Sequence, residues 1–114
     1  MELRVSDFDG TKLKRLDTLP VLFAASWCPF CRQFRPIFES VLGAKGIRWR
    51  SVDMSDLESP LWDTFDVRVV PTVIVFKEGR AVFRSDGVLG RGLPAEVMEE
   101  IVHEISVGRP AVAH

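Results

Sequence analysis

The only two cysteines of the chain, Cys28 and Cys31, lie three positions apart. Two thiols at this spacing can form a reversible disulfide or contribute to a metal site. A strongly apolar run, residues 20–25, leads into the pair, and residues with the spacing of one apolar helix face follow it. The residues of that face are Phe34, Ile37, Phe38, Val41 and Leu42. The pattern predicts that a buried strand turns into an amphipathic helix at the two cysteines.

This position suits the two thiols to redox chemistry. At a helix N-terminus, unpaired backbone N–H groups and the positive end of the helix dipole favour a thiolate. We expect the sulfur of Cys28 to be partly exposed, and Cys31 to be more buried because it falls on the apolar face. Cys28 would attack a substrate disulfide, and Cys31 would then attack Cys28 and release the reduced product. The Cys28 thiolate would be stabilised by the backbone N–H groups of Phe30 and Cys31 and by the positive charge of Arg32.

The rest of the chain alternates strand and helix patterns. The predicted strands are residues 3–8, 21–26, 47–53, 72–76 and 80–85. The predicted helices are residues 11–19, with Leu13 and Leu16 facing inward, residues 28–44, with a kink at Pro36, residues 60–65, and a last helix that opens at Pro94. This order predicts an α/β fold with a central mixed β-sheet flanked by helices on both faces, a terminal β-hairpin and a C-terminal helix. We expect residues 1–107 to form a single domain and residues 108–114 a flexible C-terminal tail.

Composition and charge argue against several classes of function. The 114 residues are 46% hydrophobic and 27% charged, which is typical of one soluble globular domain. The formal net charge of −1 gives no electrostatic reason to expect binding to nucleic acid or to an anionic membrane. No apolar run approaches the length of about 20 residues that spans a bilayer, and the N-terminus lacks the apolar core of a secretory signal. We therefore expect a cytoplasmic monomer, with no nucleic-acid or membrane partner, whose C-x-x-C pair serves redox or metal chemistry.

Several motifs at characteristic spacing resemble those of the thioredoxin family. Residues 27–32, Trp-Cys-Pro-Phe-Cys-Arg, match the family's Trp-Cys-x-x-Cys-Lys/Arg site. Pro36 matches its helix-kinking proline, and residues 70–72, Val-Pro-Thr, match its cis-proline loop. Residues 76–79 match the turn of its terminal hairpin, and Gly87 matches the glycine after its last strand. The likeness extends over roughly residues 20–106, and the order of elements agrees throughout.

The resemblance implies a thioredoxin fold and an enzyme that reduces protein disulfides through Cys28 and Cys31. It implies disulfide-containing protein substrates, electrons from a thioredoxin-reductase-like protein or another dithiol, and no bound cofactor or metal. It also implies a cis peptide bond at Val70-Pro71, facing Cys28. The residues that it implies for the active site and for substrate docking are Trp27, Pro29, Phe30, Arg32, Val70, Pro71 and Val88.

The sequence departs from the thioredoxin pattern at two positions. Leu22 occupies the place of a buried acidic residue six positions before the first cysteine, and Trp49 occupies the place of a lysine on the third strand. In the family the acid is associated with deprotonation of the resolving cysteine. Its replacement therefore predicts slow resolution by Cys31 and a longer-lived mixed disulfide. The dipeptide Pro29-Phe30 is nearer to the Cys-Pro-aromatic-Cys of glutaredoxins.

Two other functions remain open at this point. One is a glutaredoxin-like reductase that depends on glutathione, although no acidic-capped glycine pair is evident near Asp86-Gly87. The other is a protein-interaction module in which the cysteines act as a redox switch. A structural disulfide is disfavoured because it would close a very small loop. A zinc site is disfavoured because a second C-x-x-C is missing and His103 and His114 are distant in sequence.

Overall fold

Residues 2–107, which the computed structural model describes, contain seven strands and three α-helices. The strands are β1 (Glu2–Leu3), β2 (Phe8–Asp9), β3 (Lys12–Leu13), β4 (Leu19–Ala24), β5 (Arg50–Asp53), β6 (Thr72–Lys77) and β7 (Arg80–Asp86). The helices are α1 (Pro29–Ala44), α2 (Leu61–Thr64) and α3 (Val97–Val107). A 3-10 turn covers Val5–Asp7.

Five of the strands form one mixed sheet in the order β1-β5-β4-β6-β7. Strand β4 lies at its centre, parallel to β5 and antiparallel to β6, and β7 pairs with β6 as the second arm of a hairpin. All six residues of β4 are buried, as expected for a strand with both faces covered. The mixed sheet and the terminal hairpin predicted from the sequence are confirmed.

The side chains of β4 alternate between two packing layers. On one face, the ring of Phe23 contacts the ring of Phe65, just after α2, with 5.5 Å between centroids. On the other face, Ser51 of β5 lies opposite Leu22 and accepts a hydrogen bond from Arg35 of α1. Helix α3 contacts α1 as well as β4, β6 and β7, so it lies in the same layer as α1. Helices therefore flank both faces of the sheet. The chain passes from the end of the buried strand β4 to the start of α1.

The predicted helix over residues 11–19 is wrong. This segment contains β3, which pairs with β2 across a turn in which Gly10 has φ of +61°. Leu13 is buried as predicted, and its N–H donates to the carbonyl of Gly79 at 2.8 Å. Leu16, in contrast, is 79% exposed. A single apolar anchor cannot bury a helix face, so the short segment takes the strand pairing that the neighbouring turn offers.

Two other predictions near the N-terminus also need correction. Pro20 precedes the strand predicted over residues 21–26, but in the structure it lies inside β4 opposite Val75. Strand β5 reaches β4 only from Val21 onward, so the proline stands where β4 has one neighbour. The strand predicted over residues 3–8 is interrupted because the Asp7 carboxylate accepts the Arg4 N–H at 2.7 Å and closes the 3-10 turn.

The later elements agree more closely with the sequence patterns. Helix α1 and strands β6 and β7 lie within one residue of their predicted bounds, whereas β5 begins only at Arg50. Helix α3 begins at Val97, after a turn in which the Val97 N–H donates to the carbonyl of Pro94. The predicted tail, residues 108–114, lies outside the described residues. Among residues 2–107, no helix is long and apolar enough to cross a membrane.

Four phenylalanine rings form the core of the layer that contains α2. Phe65 makes edge-on contacts with Phe8, Phe23 and Phe76, at centroid distances of 5.1, 5.5 and 5.8 Å. Edge-on aromatic pairs contribute beyond their buried area. One side chain therefore joins the β2–β3 hairpin, the central strand and β6.

We expect Phe65→Ala to lower the free energy of unfolding by about 3–5 kcal/mol, because it leaves a cavity among three rings. Urea unfolding followed by circular dichroism measures this loss. Val82→Ala is the control, since Val82 is 47% exposed on β7, and its effect should stay within about 0.5 kcal/mol. A Phe65→Ala protein as stable as Val82→Ala would contradict the role assigned to the ring cluster.

Candidate active site

The site is built at the start of α1, where Cys28 is the N-cap residue. The backbone N–H of Cys31 donates to the Cys28 sulfur at 3.2 Å. The sulfur thereby takes the place of the side-chain oxygen that usually caps a helix. Pro29 at the first helical position has no N–H to satisfy, so it fits this turn without loss. The sequence prediction that the two cysteines lie at a helix N-terminus is confirmed.

A second segment approaches the Cys28 sulfur from the end of the sheet. The Cys28 thiol donates to the carbonyl of Val70 at 3.4 Å, and the Val70-Pro71 peptide bond is cis, as the resemblance predicts. The hydroxyl of Thr72 donates to the carbonyl of Val69 at 2.7 Å and closes this loop. The strand–helix junction and the loop before β6 thus meet at one sulfur atom.

Both cysteines are buried, with Cys28 4% and Cys31 3% exposed. The expectation of a partly exposed Cys28 is therefore wrong. Cys28 lies in the wall of a groove of 280 Å³, which we call the Cys28 groove. Its lining residues are Trp27, Cys28, Pro29, Phe30, Trp62, Arg68, Val69, Val70, Leu89 and Gly90. The residue as a whole is almost completely covered, and a substrate would reach its sulfur along the groove.

The predicted docking residues divide into two groups. Trp27, Pro29, Phe30 and Val70 all line the Cys28 groove. The other three, Pro71, Val88 and Arg32, do not line it.

Pro71 is buried, and Val88 is 53% exposed with its backbone paired to Gly92. Arg32 lies on the other side of the helix start, where its guanidinium donates to the carbonyl of Ser26 at 3.1 Å. The structure therefore does not bring Arg32 into the groove. The sequence alone cannot distinguish these sides, because neighbouring positions in the first turn of a helix point in very different directions.

Trp62 also lines the groove, although no sequence motif assigns it to the site. Its indole is stacked on that of Trp27, with 6.5 Å between centroids and 10° between planes. The Trp27 indole N–H donates to the carbonyl of Ser55 at 3.0 Å, and the Trp62 indole N–H donates to the carbonyl of Asp56 at 3.1 Å. The two rings form one fixed wall. No local pattern relates positions 27 and 62, because only the tertiary fold brings them together.

Gly92 is a second position that no sequence motif indicates. It has φ of +71°, and a Cβ atom there would lie 2.7 Å from the Cβ of Phe30. The absence of a side chain at this position therefore allows Phe30 to occupy the groove. Gly87, which the resemblance singles out, is equally restricted, because a Cβ would lie 2.5 Å from the carbonyl oxygen of Pro71.

The environment of Cys31 strongly favours its neutral thiol. Burial raises the pKa of Cys31 to about 12, and its hydrogen bond with Cys28 acts in the same direction. A backbone hydrogen bond from Ala25 and the positive charge of Arg35 oppose this rise in pKa. Cys31 is thus a poor nucleophile in the resting protein and needs help to form a thiolate.

The two unusual positions, Leu22 and Trp49, both have packing roles. Leu22 is completely buried in β4. Trp49 is half-buried; its ring contacts Phe38 edge-on at 5.7 Å, and the guanidinium carbon of Arg35 lies 6.0 Å from its ring centroid. Within residues 2–107, His, Cys, Asp and Glu side chains nowhere form a group of three or more that could hold a metal ion.

Comparison with known proteins agrees with this architecture. The family model described as Thioredoxin matches residues 1–100. The chain is 30% identical over 98 residues to Thioredoxin-1 from Caenorhabditis elegans, with 84% of each chain covered. The chain belongs to the thioredoxin family. A member of this family acts by thiol–disulfide exchange, so the protein is a thiol–disulfide oxidoreductase.

Other thioredoxins show how far the similarity extends. The chain is 32% identical over 100 residues to Thioredoxin M4, chloroplastic, from Arabidopsis thaliana; the match covers 85% of this chain but only 49% of that longer protein. The crystal structure of mitochondrial thioredoxin 3 from Saccharomyces cerevisiae in its oxidised form superposes with a TM-score of 0.64. The two are 24% identical, and 80% of this chain and 81% of the yeast chain are covered. The yeast structure supports the thioredoxin fold.

The Cys31 pKa predicts how stability depends on pH. The pKa is about 12 in the folded protein against an ordinary value of 9.0, so the folded state holds the proton more tightly. The free energy of unfolding of the reduced protein should therefore be unaffected by this group below pH 9.0 and should fall between pH 9.0 and about 12. This group can contribute at most about 1.4 kcal/mol per pH unit to the fall.

Urea unfolding with excess dithiothreitol, repeated at several pH values, measures this decline. Cys31→Val should show a shallower decline than the unchanged protein, because the perturbed thiol is gone. Equal declines in the two proteins would refute the assignment to Cys31.

We also expect Gly92→Ala to raise the KM for a disulfide substrate, because the new methyl group pushes Phe30 from its place in the groove. Gly10→Ala is a matched control, since Gly10 also has a positive φ, of +61°, but a Cβ there meets no atom within 4 Å. Both variants should lose about 1 kcal/mol of stability from backbone strain. Equal KM values for the two variants would rule out the proposed contact with Phe30.

Proposed function

We propose that this thioredoxin-family protein reduces protein disulfides with Cys28 as the attacking thiol and Cys31 as the resolving thiol. The observation that carries the proposal is the position of the Cys28 sulfur. It caps α1 and lies in the wall of the Cys28 groove, 3.2 Å from the Cys31 backbone nitrogen. The helix terminus favours negative charge on this sulfur, and the groove gives a substrate access to it.

The reaction proceeds in two exchange steps. The Cys28 thiolate attacks one sulfur of the substrate disulfide, which gives a mixed disulfide and releases the other sulfur as a thiolate. Cys31 then loses its proton to solvent and attacks the Cys28 sulfur. The Cys28–Cys31 disulfide forms, the bond between Cys28 and the substrate breaks, and the second substrate sulfur leaves. The substrate gains the two electrons that the dithiol loses.

We propose an extended, disulfide-containing polypeptide as the substrate. The groove is bounded by apolar side chains, and two of them, Trp27 at 51% and Leu89 at 85%, are strongly exposed. Exposed apolar residues around a reactive group are typical of a protein-binding surface. The loop of Val70 and Pro71 offers backbone beside the sulfur, where an extended peptide could pair as an added strand. Val88 does not line the groove, but it precedes the groove residue Leu89, and its exposed side chain would extend this proposed surface.

Electrons would return to the Cys28–Cys31 disulfide from a thioredoxin-reductase-like protein or another dithiol. We place the reaction in the cytoplasm and assign a monomer. In support, the chain contains only these two cysteines, too few for the scaffold of structural disulfides that is typical of an oxidising compartment. A protein that keeps a reduced dithiol as its working form suits a reducing compartment.

Reduction of insulin in the presence of dithiothreitol tests the proposal. The unchanged protein should accelerate insulin precipitation, and Cys28→Ser should be inactive because it cannot begin the exchange. Cys31→Ser should accumulate a mixed disulfide, which gel electrophoresis without reductant detects. Cys28→Ser that forms this adduct through Cys31 would reverse the assigned roles.

The same assay separates two alternative functions. Turnover that requires glutathione would indicate a glutaredoxin-like enzyme instead. An interaction module with a redox switch would give no turnover and a persistent mixed disulfide in the unchanged protein. The high pKa of Cys31, about 12 because of burial, supports the second alternative, since it slows resolution by Cys31 and prolongs the mixed disulfide.

A further inference from the structure

A second cavity, of 230 Å³, has Cys31 in its wall and shares no lining residue with the Cys28 groove. We call it the Cys31 cavity. Its lining residues are Glu2, Ala24, Ala25, Ser26, Cys31, Arg32, Arg35, Val52 and Asp53. Glu2, Arg32 and Asp53 are exposed, so the cavity reaches the surface. It gives the buried sulfur of Cys31 a polar side that the proposed mechanism does not yet use.

Arg35 is placed on α1 to act on Cys31. The two residues are four positions apart in one helix, so their side chains lie on the same face, one turn from each other. Arg35 is half-buried, and its charge favours the Cys31 thiolate despite the burial of that sulfur. A charge that is partly withdrawn from water acts more strongly on its neighbours than one at the surface.

Three contacts hold the Arg35 guanidinium in place. Its Nε donates to Glu39 Oε2 at 3.0 Å, and its Nη2 donates to Ser51 Oγ at 3.2 Å. The ring of Trp49 lies under it, 6.0 Å from the guanidinium carbon to the ring centroid. The group is therefore fixed before the reaction begins, which is the condition for electrostatic assistance without reorganisation.

We propose that Arg35 is a positioning residue for the resolving step, in which its guanidinium stabilises the negative charge that forms on the Cys31 sulfur. The proposal rests on the assignment of Cys31 as the resolving thiol. Cys31 gives its proton to water at the mouth of the Cys31 cavity and becomes a thiolate. This thiolate attacks Cys28 in the mixed disulfide, the Cys28–Cys31 bond forms, and the substrate leaves as a thiolate. Arg35 changes neither its covalent state nor its charge.

Arg32 is the other cation of this cavity and is a weaker candidate. It is exposed, and its guanidinium donates to the carbonyl of Ser26 at 3.1 Å. Solvent screens such a surface charge. Arg32, although it belongs to the sequence motif, is therefore the weaker candidate. Arg35, one turn further along α1, carries the inference.

An aromatic disulfide such as dithiobis(nitrobenzoate) separates the two exchange steps. Attack by Cys28 releases the first coloured thiolate, and attack by Cys31 on the resulting adduct releases the second. Arg35→Gln should slow the second release about three- to fivefold. This figure assumes a tenfold loss of thiolate that is partly offset by higher nucleophilicity. The first release should change less than about twofold, since Arg35 does not line the Cys28 groove.

Arg35→Lys and the pH profile distinguish charge from packing. Arg35→Lys keeps the positive charge and should recover most of the second rate. Between about pH 6 and 9, the logarithm of the second rate should rise in parallel for the unchanged protein and Arg35→Gln, with the variant displaced by about half a pH unit. Arg48→Gln removes an exposed arginine outside the cavity and should leave the second rate unchanged.

The outcomes separate the two proposals. An unchanged second rate in Arg35→Gln would overturn the role of Arg35 alone. The same would follow if Arg35→Lys were as slow as Arg35→Gln, because packing against Trp49 would then explain the loss. An unchanged protein that releases only one coloured thiolate would refute the assignment of Cys31, and the role of Arg35 with it. Thermal unfolding of each variant, with midpoints above the assay temperature, establishes that folded proteins are compared.

Discussion

The hydrogen bond from the Cys31 backbone to the Cys28 sulfur is the interaction on which the site depends. It makes one sulfur both the cap of α1 and the proposed attacking atom, so the helix cannot begin elsewhere without removing the reactive group. The same sulfur reaches Val70 in the loop before β6. Helix capping, substrate approach and thiol chemistry therefore share a single atom, and a change that shifts any of the three shifts the others.

The sheet keeps this junction rigid. Strand β4 is buried along its whole length and is paired on both sides from Val21 to Phe23, so it can move little relative to β5 and β6. The aromatic layer around Phe65 fixes one face of β4, and α1 with α3 fixes the other. The reactive turn follows the central strand of the sheet. Binding residues on short loops supported by such a scaffold keep their geometry without extra constraints.

The sequence was informative wherever a pattern is local. Periodicity and spacing within about 20 residues predict helix α1, the terminal hairpin and the position of Cys28 at a helix N-terminus. The prediction of a helix over residues 11–19 failed because a weak local pattern competed with a hydrogen bond to the distant turn at Gly79. The exposure of Cys28 and the positions of Trp62 and Arg35 relative to the cysteines depend on packing between elements, which spacing along the chain does not encode. Leu22 and Trp49 were recognisable as departures, but only the structure relates Trp49 to Arg35.

The stacked pair of Trp27 and Trp62 has a consequence for selectivity. Each indole is held by the other ring and by a hydrogen bond to a backbone carbonyl, from Ser55 and Asp56 respectively. Neither ring therefore loses much rotational freedom when a substrate binds, and the entropic cost of association falls mainly on the substrate. A wall that is already ordered also cannot reshape itself to suit different partners. Such a surface sorts partners by their fit to a fixed shape, unlike the adaptable methionine-rich surfaces of promiscuous binding proteins.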